Sequence, residues 1–188
     1  MVAKALKQSG FYTFGYREYP SLIKGGYAFH QVDISDKPIN SPSKYTDILL
    51  CFSRAAVSAY LASLRQNGQI IHMLTQLELD SEQKDQIKKK KIKISYFPAE
   101  DIAKEAGGSV IMANVAMIGA LWKLMDLHKD PLEKVISHEF AHKKEVIAPN
   151  IATLKKGYET SVENTNKFEI NFIKNHQRAN DALLTGNH

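Results

Sequence analysis

The 188-residue chain has one cysteine and one tryptophan. A single thiol, Cys51, forms no internal disulfide, and it cannot supply the four cysteines that hold an iron–sulfur cluster or the cysteine-rich set of a structural zinc site. It lies in the apolar run Asp47-Ile-Leu-Leu-Cys-Phe52, where a thiol acts as a small hydrophobe. Long apolar runs are also missing. The longest, residues 110–122, is broken by Asn114 and is shorter than the roughly 20 residues that cross a bilayer. Residues 1–10 have no apolar core or small-residue cleavage site of the kind a secretion signal needs, so the expected location is cytoplasmic, with no membrane partner. No G-x-G-x-x-G opens a helix, and neither a G-x-x-x-x-G-K-[ST] loop nor a G-x-S-x-G elbow occurs. A free-standing dinucleotide enzyme, a nucleoside triphosphatase and an α/β-hydrolase are disfavoured on these grounds.

What remains has the composition of an ordinary globular domain: 44% hydrophobic, 24% charged and a formal charge of +5. Residues 11–16 and 27–34 are rich in aromatic and β-branched side chains and read as strands, with Gly25-Gly26 as punctuation. Residues 48–52 read as a strand buried on both faces. Ser53 caps a helix with Val57, Tyr60, Leu61 and Leu64 on one face, ending at Asn67-Gly68. Strands follow at 69–74 and 92–97, separated by a short helix that starts at Asp80 or Ser81. This alternation predicts an α/β, Rossmann-like three-layer domain with a largely parallel sheet. The second half is helical: 110–125 is apolar nearly all round, Asp130-Pro131 opens a helix through about Lys144, and Pro149 opens another with Ile151, Leu154, Tyr158 and Val162 on one face. Residues 2–8 look like a helix with no strand before it.

Three segments invite a chemical reading. His138-Glu-Phe-Ala-His142 matches H-E-x-x-H, in which two histidines one helical turn apart bind zinc and the glutamate acts as base, with Glu159 or Glu163 as a third ligand. A zinc metallopeptidase is therefore the alternative function. The run Lys88-Lys-Lys-Lys91 with Lys93 could hold phosphates, but no aromatic platform or nucleic-acid motif accompanies it, so a solvated helix end is expected and no nucleic-acid partner. Tyr19-Pro-Ser-Leu-Ile-Lys-Gly-Gly26 combines a stiffening proline, two glycines and one cation beside backbone amides that can face an anion. It follows a strand, and loops after the strands of an open α/β sheet are where ligands bind. His30 reads as a packing residue.

The same segment, with Phe29-His-Gln-Val-Asp-Ile-Ser-Asp36 and Pro38-Ile-Asn-Ser-Pro42, resembles the gamma domain of the 2-oxoacid:ferredoxin oxidoreductases, which act on pyruvate or 2-oxoglutarate. The resemblance continues through Asp47 to Phe52, Asn67-Gly-Gln-Ile-Ile71, Pro98-Ala-Glu-Asp-Ile-Ala103, Ala113-Asn-Val-Ala-Met-Ile-Gly-Ala120 and Asn150-Ile-Ala-Thr-Leu-Lys-Lys-Gly-Tyr158, in family order. It departs from the family in lacking the first strand and its G-x-G-G-x-G loop. The resemblance implies a gamma-type domain over residues 1–164 and a linker at 165–188 toward a thiamine-binding alpha domain, as in a fused gamma–alpha subunit. It implies a supporting part in the oxidative decarboxylation of a 2-oxoacid to an acyl-CoA. In the assembled enzyme, thiamine diphosphate, Mg and iron–sulfur clusters reside on alpha and beta partner components, and ferredoxin is reached indirectly. This chain alone is expected to be inactive and to supply no catalytic residue or metal ligand. Ser21, Lys24, Gly25 and Gly26 are then the expected contacts for coenzyme A or for an acidic group of a partner.

Overall fold

The computed structural model describes residues 1–18 and 28–165. Its sheet is built by the apolar runs. Strands β3 (Thr46–Cys51), β4 (Leu64–His72) and β5 (Lys93–Tyr96) are parallel in the order β3-β4-β5, so β4 is central. The register sets Leu50 beside Ile71 and Ile71 beside Ser95. Because strand side chains alternate, Ile48, Leu50 and Ile71 share one face while Leu49, Cys51 and Ile70 share the other.

Each face is covered by helices. Under the Ile70 face pack α2 (Arg54–Tyr60), through Val57, and α3 (Ser81–Lys90), through Ile87. Against the Ile71 face lie α4 (Ala99–Glu105) and α5 (Ala113–Leu124), which contribute Ala99, Ile102, Ala116, Met117 and Ala120. The expected three layers are therefore present. Asp80 begins α3 with a capping box: its side chain accepts from the Gln83 amide at 2.8 Å and the Gln83 side chain accepts from the Asp80 amide at 3.1 Å.

A second core lies on the far side of α5. There α1 (Val2–Gln8), α6 (Asp130–Glu139) and α7 (Ile147–Glu159) enclose Leu6, Phe11, Trp122, Leu132, Ile136 and Leu154. The helix α5 serves both cores, which explains a sequence apolar on every side. Its contact with α7 is made by glycine: a Cβ on Gly157 would stand 2.3 Å from the Ala116 carbonyl oxygen, and one on Gly119 would stand 2.4 Å from that of Leu154.

Three expectations need correction. Strands β1 (Tyr12–Glu18) and β2 (Phe29–Ser35) form an antiparallel pair of their own and do not join the parallel sheet. The helix after Ser53 ends at Tyr60, passes through a 3-10 turn at Leu61–Ser63, and gives way to β4 at Leu64. Leu64 is 1% exposed in the core that α2 covers, and Thr46 pairs with it across the sheet, so tertiary pairing overrides the helical spacing. The helix at Asp130 stops at Glu139, well before Lys144, because Phe140 leaves helical geometry and packs back against the second core. The helix α4 is an addition to the elements expected from the sequence pattern.

Candidate functional site

The expected binding residues Ser21, Lys24, Gly25 and Gly26 lie outside the described residues. Their flanks are well placed. Glu18 and Phe29 are the last cross-strand pair of β1 and β2. The Phe29 ring sits 4.5 Å from that of Tyr60 and 5.7 Å, edge-on, from that of Tyr16, whose hydroxyl donates to Glu18 Oε1 at 3.1 Å. Tyr60 ends α2, and just beyond it Ser63 Oγ lies 3.4 Å from the Thr46 hydroxyl at the start of β3. The flanks therefore stand at the amino end of the parallel strands. The expectation that this loop follows the rule for ligands at carboxyl ends is corrected: that rule applies to strands of the parallel sheet, and β1 is not one of them.

The carboxyl edge carries a different set, which sequence reasoning missed. Cys51, His72 and Tyr96 stand in register at the ends of β3, β4 and β5. The His72 imidazole, 7% exposed, lies 5.7 Å from the Tyr96 ring, and its Nδ1 has no hydrogen-bond partner among the described residues. Burial pushes its pKa below the ordinary histidine value, against an opposing effect of the backbone at Leu74. Tyr96 is 46% exposed, Phe52, which follows Cys51 in the chain, is 45% exposed, and the Ser53 side chain makes no capping bond to α2. The open Tyr96 ring beside a buried imidazole can stack a planar group. The set supplies no nucleophile, since burial pushes the Cys51 thiol up to about 12. The signal for this set was the common alignment of three strand ends, which residue spacing along one chain does not reveal.

The zinc alternative fails on geometry. His138 is in the last turn of α6, but the helix ends at Glu139, so His142 is not carried one turn further on the same face. The Glu139 carboxylate accepts from the Lys4 ammonium at 2.8 Å, with the chain's amino group 3.8 Å away. Its pKa is lowered: desolvation acts upward but is outweighed by these cations and by Arg17. A carboxylate held in this way is a poor base. Among the described residues no group of three or more His, Cys, Asp or Glu converges on a common point. The lysine run is also more than a solvated end, for Lys90 Nζ donates to the carbonyls of Ala62 and Leu64 at 2.8 Å each.

The fold has counterparts among known proteins. The chain matches the family model of pyruvate ferredoxin/flavodoxin oxidoreductase over residues 1–160. It is 29% identical to the 2-oxoglutarate synthase subunit KorC of Methanocaldococcus jannaschii over 149 residues, 78% of this chain and 76% of that one. Its fold is similar to the 2-oxoglutarate:ferredoxin oxidoreductase of Magnetococcus marinus, which was solved with 2-oxoglutarate, coenzyme A and succinyl-CoA bound. That similarity has a TM-score of 0.77 at 22% identity and covers 97% of this chain but only 31% of that one. It is also similar to the pyruvate oxidoreductase subunit PORC of Thermotoga maritima, with a TM-score of 0.61, 25% identity and 86% of each chain covered. From its match along residues 1–160, the chain belongs to the pyruvate ferredoxin/flavodoxin oxidoreductase family.

Proposed function

We propose that this chain is the gamma component of a 2-oxoacid:ferredoxin oxidoreductase, with 2-oxoglutarate as the substrate of the assembled enzyme. The single observation that carries the reading is the family match across residues 1–160, which takes in both cores and both sheets. The choice of 2-oxoglutarate over pyruvate is supported by the KorC relative. The described residues do not fit an iron–sulfur cluster or a thiamine-bound magnesium ion. The one cysteine is buried, and no acidic cluster converges. Those groups belong, on this reading, to alpha and beta partners, with ferredoxin as the electron acceptor of the complex. The acyl acceptor, coenzyme A, is an anion with a planar base. Lys24 with the Gly25 and Gly26 amides, and Ser21, are proposed to contact its phosphates or an acidic partner group. A cytoplasmic location belongs to the same reading; among the described residues no helix is long and apolar enough to cross a membrane.

Reconstitution of the complex with and without this chain tests the assignment. Coenzyme A-dependent reduction of a viologen dye by 2-oxoglutarate should require the chain and should exceed the rate with pyruvate. Equal rates without it would overturn the component role, and a preference for pyruvate would overturn the substrate. In the same assay Lys24→Ala should raise the KM for coenzyme A or weaken assembly, and a variant unchanged in both removes the proposed contact. Residues 165–188 are read as a linker toward an alpha domain, supported by the match to a Magnetococcus chain of which this one covers 31%. An alpha-type domain in frame downstream of His188 supports that reading, and a stop codon there sinks it.

A further inference from the structure

The helix α7 has two apolar sides: one is buried by the fold, and the other is covered only in part, with Ile151 resting on the edge of the core while Ala148 and Ala152 stay exposed. Asn150, Thr153, Leu154 and Gly157 are buried on one side, where α7 lies against α5. The other side, with Ile147, Ala148, Ile151 and Ala152, forms one wall of an open groove of about 700 Å³. Ser137 and Ala141, in the His138 segment, supply the opposite wall. The lining is apolar and small-chained, and Ala141, Ala148 and Ala152 are all exposed. Both charged residues that line it are lysines, Lys144 and Lys155. They stand eleven residues apart along α7 and the turn before it, or about 16 Å at the rise of a helix. Lys144 has no ion-pair partner among the described residues, while Lys155 lies 3.3 Å from Glu133.

We propose that this groove between α6 and α7 is a docking site for an acidic amphipathic helix of a partner polypeptide. Short side chains on both walls let a helix approach closely, and a stripe at i, i+3, i+4 and i+7 on the guest would cover Ile147 and Ile151. The cations set the sign and spacing of the guest's charges: carboxylates about three turns apart meet Lys144 and Lys155 together. A basic guest helix would bury its stripe equally well but would meet both ammonium groups. The site thus selects by charge among helices that its apolar floor would accept alike. This goes beyond the gamma-component assignment and does not depend on which 2-oxoacid is used.

The full chain should be titrated, by fluorescence anisotropy, with two synthetic 18-residue helical peptides. Both carry the same leucine stripe, one with glutamates eleven residues apart and the other with lysines. The acidic peptide should bind at least tenfold tighter than the basic one and weaken as salt is raised. In Ala148→Trp/Ala152→Trp, which fills the groove at exposed positions, binding of the acidic peptide should fall at least tenfold. In Lys144→Glu/Lys155→Gln, which leaves the floor intact, the preference should reverse so that the basic peptide binds tighter than the acidic one, a result that misfolding does not mimic. No binding, equal binding of both peptides, or binding unchanged by the tryptophans would overturn the proposal. So would sedimentation showing a dimer that the tryptophans dissociate, since the occupant would then be a second copy. The viologen assay is independent of these readouts, so failure of one reading is distinguishable from failure of the other.

Discussion

At the scale of single residues, His72 and Cys51 have neighbouring places at the carboxyl edge, and burial acts on each in the direction that favours its neutral form. For the histidine this has a pH consequence. Its folded pKa lies below the ordinary 6.5, so below about pH 6.5 the unfolded chain takes up a proton that the folded one resists. The contribution is present at neutral pH and is lost as pH falls from about 6.5 toward the folded pKa. We expect urea stability to decline over that interval in the parent chain and to decline less in His72→Gln. An imidazole proton signal titrating above 6.5 would refute the assignment. The thiol, held up to about 12, should stay unlabelled by iodoacetamide at pH 8 in the folded chain and react at once in denaturant. Rapid native labelling would show that β3 opens at its end.

At the scale of elements, the contact between α5 and α7 depends on two glycines facing backbone. A Cβ added at Gly157 would stand only 2.3 Å from the Ala116 carbonyl oxygen, so Gly157→Ala must push the two helices apart, because backbone cannot rotate out of the way as a side chain can. Overpacking of this kind costs about 1–3 kcal/mol. Gly157→Ala should therefore lower the urea midpoint, whereas Gly107→Ala acts differently. At Gly107 nothing lies near an added Cβ and the cost is that of a φ of +77° alone. Equal stability of Gly157→Ala and the parent would mean that the helices are not in close contact. The sequence made α5 legible, since a helix apolar all round has to be sandwiched, and it made the capping box at Asp80 legible because that cap is local. Leu61 and Leu64 misled because one spacing satisfies both a helix face and the turn into a strand, and only pairing with Thr46 decides between them. His138 and His142 misled in the same way: H-E-x-x-H counts residues, while the helix is ended by a tertiary contact of Phe140. The carboxyl-edge set of Cys51, His72 and Tyr96 could not be read at all, because strand register brings it together from segments 20 or more residues apart.

On the scale of the whole molecule, α5 makes one cooperative unit of what would otherwise be two. It gives Val115 and Trp122 to the core shared with α1, α6 and α7, and Ala116, Met117 and Ala120 to the core that covers the parallel sheet. Trp122, the single tryptophan, is fully buried, and its indole donates to the His128 carbonyl at 3.1 Å, so its fluorescence reports on the core shared with α1, α6 and α7 alone. Met117, equally buried, belongs to the core that covers the parallel sheet. Truncating such a side chain to alanine costs about 2–5 kcal/mol. If one helix ties the cores together, the cost of Met117→Ala must appear at Trp122 although the two side chains lie in different clusters. The tryptophan and far-UV circular dichroism transitions in urea should coincide in the parent chain, and Met117→Ala should move both by the same amount. A tryptophan midpoint that stays in place while the dichroism midpoint falls would show that the sheet unfolds separately from the helical half. The cores would then be joined by the chain of α5 and not by its packing.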